Sequence, residues 1–348
     1  MNLHLRYTTL FVGLLLITSC RQTRNMQVNI MRPAEITIPK EIKKMAILNR
    51  SIPSNQAVIE GIVTGELPKQ DKKLSQECIR GLNDLLLTSN RFEVQRIDSA
   101  WNSSDPTSLS FGAPLPWASI DSLCAQMQVD GLLVLEFFDT DFNIHNPAST
   151  ATQAVTSVLN GGTSSITVTG TATSTSGFRV YYSSKHQIPY EDTYKYKKWW
   201  RTTANNAFEA VGKLVKRSEA LVDVSYETGT EFARSIVPLF DWEPRVMYKG
   251  KNDPMRRGER QALAKDWEGA LATWLSYYDQ EQKYKKRAKA AHNIALSYEV
   301  LGKLEEAQKW AGTAYVDGGK KPMLAYTEIL DGRVREQQLL EEQLKTFE

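Results

Sequence analysis

Asp130-Gly131-Leu132-Leu133-Val134-Leu135-Glu136-Phe137-Phe138 decides the fold. A turn dipeptide opens a strongly apolar run that is too short for a helix of ordinary length and reads as a strand. Just upstream, Ile120, Leu123, Cys124 and Met127 recur at helical spacing, with Ser119 placed to cap that helix. Further upstream, Arg91-Phe92-Glu93-Val94-Gln95-Arg96-Ile97 alternates with the strand period. Before it, residues 70–88 place Leu74, Cys78, Leu82, Leu85 and Leu86 on one helical stripe. Lys44-Met45-Ala46-Ile47-Leu48-Asn49 is a short buried-strand run. Pro33 and Pro39 bracket an extended piece. Strands alternating with helices predict a layered α/β unit.

Downstream the composition shifts. Residues 146–177 are dominated by Ser, Thr, Ala and Gly, and are expected to form a surface loop. Ile166, Val168, Phe178, Val180 and Tyr182 share one parity, so 164–183 also carries a strand pattern with a weak middle. From Glu191 to Arg201, Tyr194, Tyr196 and Trp200 alternate with Lys195, Lys197 and Arg201, which predicts an antiparallel hairpin with the aromatic side inward. Ala204, Ala207, Phe208, Val211, Leu214 and Val215 make one helical stripe, and Phe232, Ile236 and Val237 another, ended by Pro238. Leu239–Met247 reads as an apolar connector and Lys249–Gly258 as a basic linker.

From Glu259 onward the pattern is helical. Ala291, Ile294, Ala295, Tyr298, Gly302, Ala307, Ala311 and Ala314 have a spacing that resembles the tetratricopeptide repeat, with a weaker copy centred on Ala270. Small residues let paired helices approach, and Gly302 eases the turn. The strand–helix–strand–helix–strand order over Lys44–Tyr182, carried by residues 91–97 and 117–138, resembles envelope lipoproteins related to the curli secretion lipoprotein. The expected class is α+β: an N-terminal layered α/β domain of that type over 36–247, followed by an all-α tetratricopeptide-like domain over 259–348.

The first residues supply an address. Arg6 precedes an uncharged apolar run, Thr9–Thr18, too short to span a bilayer but the right length for a signal peptide. Ile17-Thr18-Ser19-Cys20 follows and resembles the lipobox of bacterial lipoproteins. That resemblance implies removal of residues 1–19 and lipidation of Cys20, which is stable when two or more acyl chains insert. Residues 20–35 then read as a lipidated tether. The whole arrangement resembles lipoproteins common in the Bacteroidetes. In that group acidic residues after the Cys mark export to the surface. Arg21-Gln22-Thr23-Arg24 has none, so the resemblance implies the outer membrane, periplasmic side.

Removing Arg6 with the leader takes the formal charge from +3 to +2, which gives no reason to expect nucleic acid as a partner. Cys78 and Cys124 fall on apolar helix faces and are expected as free buried thiols. His4, His145, His186 and His292 are scattered without metal-ligand spacing, and no motif calls for a cofactor. Asp139, Asp141 and His145 follow the apolar strand but lack sequence partners for a triad. Lys289, His292, Leu296 and Glu299 are expected on the peptide-binding face of the better repeat. Trp199 and Trp200, among basic residues, are the glycan or headgroup candidates. The expected role is a non-catalytic envelope scaffold or assembly factor with a protein partner. The alternative is a surface glycan-binding or nutrient-uptake accessory.

Overall fold

The computed structural model describes residues 23–51, 68–97, 109–145 and 165–344. The leader, Cys20 and residues 146–164 lie outside them. Its strands are β1 (Thr23–Arg32), β2 (Lys44–Asn49), β3 (Glu93–Ile97), β4 (Gly131–His145), β5 (Ile166–Tyr182), β6 (Gln187–Ala204) and β7 (Leu239–Tyr248). The helices are α1 (Pro68–Thr88), α2 (Trp117–Met127), α3 (Ala207–Lys213), α4 (Arg217–Ile236), α5 (Asp253–Leu263), α6 (Trp267–Gln280), α7 (Tyr284–Val300), α8 (Leu304–Gly318) and α9 (Lys321–Leu344).

The chain forms two compact units. One comprises Met31–Phe240 and the chain from Glu336 onward; the other comprises the chain up to Ile30 and Asp241–Arg335. Two stretches differ from their expected secondary structure. The tether assigned to 20–35 is strand β1 from Thr23, and the connector at 239–247 is strand β7, its pairing partner. The linker at 249–258 gives way to α5 at Asp253, capped by the Asn252 side chain.

The first unit is built on a sheet of order β3-β2-β4-β5-β6. β2 runs parallel to β3 and β4, and α1 and α2 supply the crossovers that parallel strands require. β4, β5 and β6 form an antiparallel meander. Met45, Ile47, Leu133, Leu135, Phe178 and Val180 pack on one face against Cys78, Leu82 and Leu86 of α1 and Phe232 and Ile236 of α4. The opposite face, Ala46, Leu48, Leu132, Val134 and Tyr181, packs on Ile120, Leu123 and Cys124 of α2. Both cysteines are free and buried, as expected. α2 starts at Trp117, so Ser119 lies inside the helix and does not cap it.

Residues 166–177, expected as loop, are part of β5. Small residues belong there for packing reasons. Ala172 lies against Ala220 and Val224 of α4, and the Ser174 and Thr228 hydroxyls share a buried hydrogen bond of 2.5 Å. Helix α1 crosses α4 as closely: a Cβ on Gly229 would lie 1.8 Å from the Cys78 carbonyl oxygen, and one on Gly81 2.0 Å from that of Tyr226. The stripe at 204–215 is only partly inward. Ala210 and Leu214 are buried, but Phe208 is 93% exposed because α3 is two turns long and presents one side.

Glu136, the one charge between Gly131 and Phe138, sits at a bulge in β4. It is buried, and accepts from Arg50 (2.7 Å), Arg179 (3.0 Å) and the Tyr181 hydroxyl (3.2 Å). Burial pushes its carboxyl upward against the pull of the two guanidiniums. The extra residue shifts the alternation of β4. Before it, even-numbered side chains face α2; beyond it, Phe137, Asp139, Asp141, Asn143 and His145 take that side.

The second unit is helical. α7 and α8 pack through alanines, among them Ala295, Ala307 and Ala311, and Gly302 between the helices has φ +75°. The β1–β7 ribbon lays Val28, Ile30 and Met247 on Met255, Trp274 and Ile294.

Candidate functional site

Beyond the bulge, the α2 side of β4, β5 and β6 forms an open polar face. Register fixes its composition in four rows across the strands: Asp139–Thr175–Lys195, Asp141–Thr173–Lys197, Asn143–Thr171–Trp199 and His145–Thr169–Arg201. The β4 and β6 members of every row are exposed. Of the threonines between them, Thr169, Thr173 and Thr175 are half-buried and Thr171 is buried. Adjacent strands lie about 4.8 Å apart and alternate residues about 6.8 Å apart along a strand. Acid and base columns are therefore separated by roughly 10 Å, with hydroxyls between them. Among the described residues no carboxylate pairs with Lys195, Lys197 or Arg201. Lys198, on the other side of the same strand, is held by Asp223 at 2.7 Å and Glu227 at 3.6 Å.

The structure divides the two tryptophan candidates. Trp199 is 59% exposed in the third row, with the Arg201 guanidinium 5.3 Å from its ring. Trp200 points to the opposite face, against Val168, Ala204 and Leu214. Neighbours on a strand cannot form one stacking platform, which corrects their joint assignment. Tyr194 and Tyr196 share the inward side with Trp200, as the alternation predicts.

Asp139, Asp141 and His145 do share the open face, but as a line and not a cluster. The Asp141 carboxylate accepts from the Asn143 amide at 2.5 Å. Among the described residues no three His, Cys, Asp or Glu side chains gather as a metal set.

The repeat face expected to bind a partner is closed. His292, Leu296 and Glu299 are buried and Lys289 is half-buried, because β7 of the same unit lies over α7. The Asn293 side chain accepts from the Tyr248 amide and donates to its carbonyl, both at 2.8 Å. His292 Nε2 bonds the Val246 carbonyl at 2.8 Å. Arg245 forks onto Glu299 at 2.7 and 2.9 Å, and the Tyr326 hydroxyl donates to the same carboxylate at 2.8 Å. Sequence reasoning missed Asn293, Arg245 and Tyr326. Their polarity within buried stripes was the available signal, since buried polar groups need partners.

The residues missed on the open face are the threonines of β5. The odd positions from 167 to 175 are all Thr, a period of two that low-complexity composition concealed.

Residues 42–248 match a family model described as a domain of unknown function (DUF8603). Residues 256–334 match a second, also described as a domain of unknown function (DUF6340). No curated protein matches the chain. Among the described residues no helix is long and apolar enough to cross a membrane.

Proposed function

Since the chain belongs to the DUF8603 family, a domain of unknown function matched over more than half its length, we propose its role from its surfaces: a non-catalytic, lipid-anchored envelope protein that holds a partner on the open face of its sheet. One observation carries this reading. Four rows carry exposed side chains on their β4 and β6 ends, with segregated charge, an unpacked tryptophan and hydroxyls between them, and the exposed members belong to no buried cluster. Spacing supports the non-catalytic part. Strand geometry sets Asp141 and His145 about 14 Å apart along β4, too far for a shared reacting atom.

The lipobox-like Ile17–Cys20 supports anchoring on the periplasmic side of the outer membrane. The α7–α8 pair keeps its tetratricopeptide-like reading as part of the proposal, with β7 occupying the groove that would otherwise take a peptide. The parallel β2–β4 core with helices on both faces supports the likeness to the curli secretion lipoprotein.

The test uses the full, lipidated chain. Lys195→Glu, Lys197→Glu and Arg201→Glu together should abolish the partner cross-linked in cells by wild type, while fractionation with membranes persists. Cys20→Ala should move the protein to the soluble fraction. A charge-reversed face that retains every cross-linked partner would refute the assignment.

A further inference from the structure

We infer that the open face takes a polyanionic carbohydrate chain, a linear polysaccharide bearing carboxylate or sulfate groups, laid along β6. The inference rests on the binding role proposed above and names its ligand class.

The shape argues for a chain. Lys195, Lys197, Trp199 and Arg201 form an exposed line about 20 Å long. A compact ligand would leave most of that line unused. Trp199, flanked by Lys197 and Arg201, offers a flat ring to a sugar face with a cation on either side. Thr173 and Thr169, half-buried beside Lys197 and Arg201, carry hydroxyls that can both donate to and accept from sugar hydroxyls.

Charge sets the position. Among the described residues the cationic column has no carboxylate partner for an incoming anion to displace. Asp139 and Asp141, one strand further across, repel an anion from the β4 side and confine it to β6.

Other occupants fit less well. Protein interfaces bury an apolar centre, and this face supplies a single Trp amid hydroxyls and charges. A bilayer would bring anionic headgroups against Asp139 and Asp141. Lysines on an edge strand also discourage sheet-to-sheet pairing, and β6 is an edge. That role accounts for Lys195 and Lys197. It does not account for an exposed Trp199 or for a column of threonines on β5, an interior strand.

The experiment titrates the full-length chain in non-ionic detergent with alginate oligosaccharides, heparin oligosaccharides, uncharged dextran and phosphatidylglycerol vesicles. Wild type should bind at least one charged glycan, more weakly as salt rises, and should not bind dextran. Lys195→Gln with Lys197→Gln and Arg201→Gln should weaken binding at least tenfold, and Trp199→Ala severalfold. Lys72→Gln with Lys73→Gln and Lys216→Gln, an equal loss of charge elsewhere, should stay within twofold. Absence of charged-glycan binding, equal binding of dextran, vesicle binding without glycan binding, or a triple variant matching the control would each overturn the inference. If glycans fail but charge reversal still removes the cross-linked partner, the ligand class falls and the binding face stands. If both fail, both fall.

Discussion

His292 shows how far one residue's surroundings can depart from its sequence context. Helical spacing placed it on a partner-facing side; in the fold it is 3% exposed, wedged between Tyr248 and Tyr326. Burial lowers its pKa from 6.5 to about 4, against the Val246 carbonyl bond and Glu299, which favour the cation. The folded state therefore holds the ring neutral, while the unfolded chain takes up a proton below about pH 6.5. Stability is full above that pH, falls as pH drops towards 4, and levels off below. The linkage amounts to about 3 kcal/mol across the window. Urea midpoints at pH 7.5, 6 and 4.5 should fall steeply for wild type. His292→Gln, which keeps an amide donor, should be less stable at pH 7.5 but nearly flat across the same range. Parallel slopes for the two proteins would remove His292 as the cause. At this scale sequence was most informative where one period dominated. Leu74, Cys78, Leu82 and Leu86 are inside as predicted, whereas the fate of His292 depended on β7, an element 44 residues upstream whose strand character Pro244 disguised.

Among elements, the best-read were those whose burial is decided by apolar side chains. The β2, β3 and β4 runs, both crossover helices and the basic–aromatic hairpin strand follow their patterns closely. β5 defeated the same logic because half of it packs through absence. Ala172, Ser174 and Ser176 let α4 settle close to the sheet, and composition alone reads such residues as loop. The α1–α4 crossing uses the same device at Gly81 and Gly229, where the adjoining backbone leaves no room for a methyl group. Gly229→Ala and Gly81→Ala should each destabilise the sheet unit by about 1–3 kcal/mol through overpacking. Because the Cys78 carbonyl is the obstacle at Gly229, forced separation should also speed labelling of its thiol, which burial otherwise keeps protonated. Unchanged midpoints together with unchanged labelling would show that the helices adjust freely. The open face was half-legible. The alternation on β6 was plain from sequence and put Lys195, Lys197 and Arg201 on one side, but its register with Asp139 and the threonines is set by a bulge that no local pattern announces.

For the whole molecule, the division into units does not follow chain order. The N-terminal strand β1 completes the helical unit, and the end of α9 completes the sheet unit, where Gln343 bonds both the amide and the carbonyl of Ala34 and Glu336 meets Arg32. Sequence windows assign neighbours to the same domain, so this exchange of ends was out of their reach. Deleting Thr23–Ile30 should therefore not behave as the trimming of a tether. It exposes Met247, Met255 and Trp274, and should make Asp241–Arg335 protease-sensitive while leaving 109–240 resistant. Loss of resistance in the sheet unit instead would contradict the division.

Order of synthesis gives β1 a further burden. It emerges early, yet β7 follows only about 200 residues later. At about 5–20 residues per second, that is a wait of some 10–40 s in which a strand with Val28 and Ile30 on one side has no native neighbour. A chain built this way depends on whatever shields that strand in the interval. Slowed elongation should raise misfolding of the helical unit first.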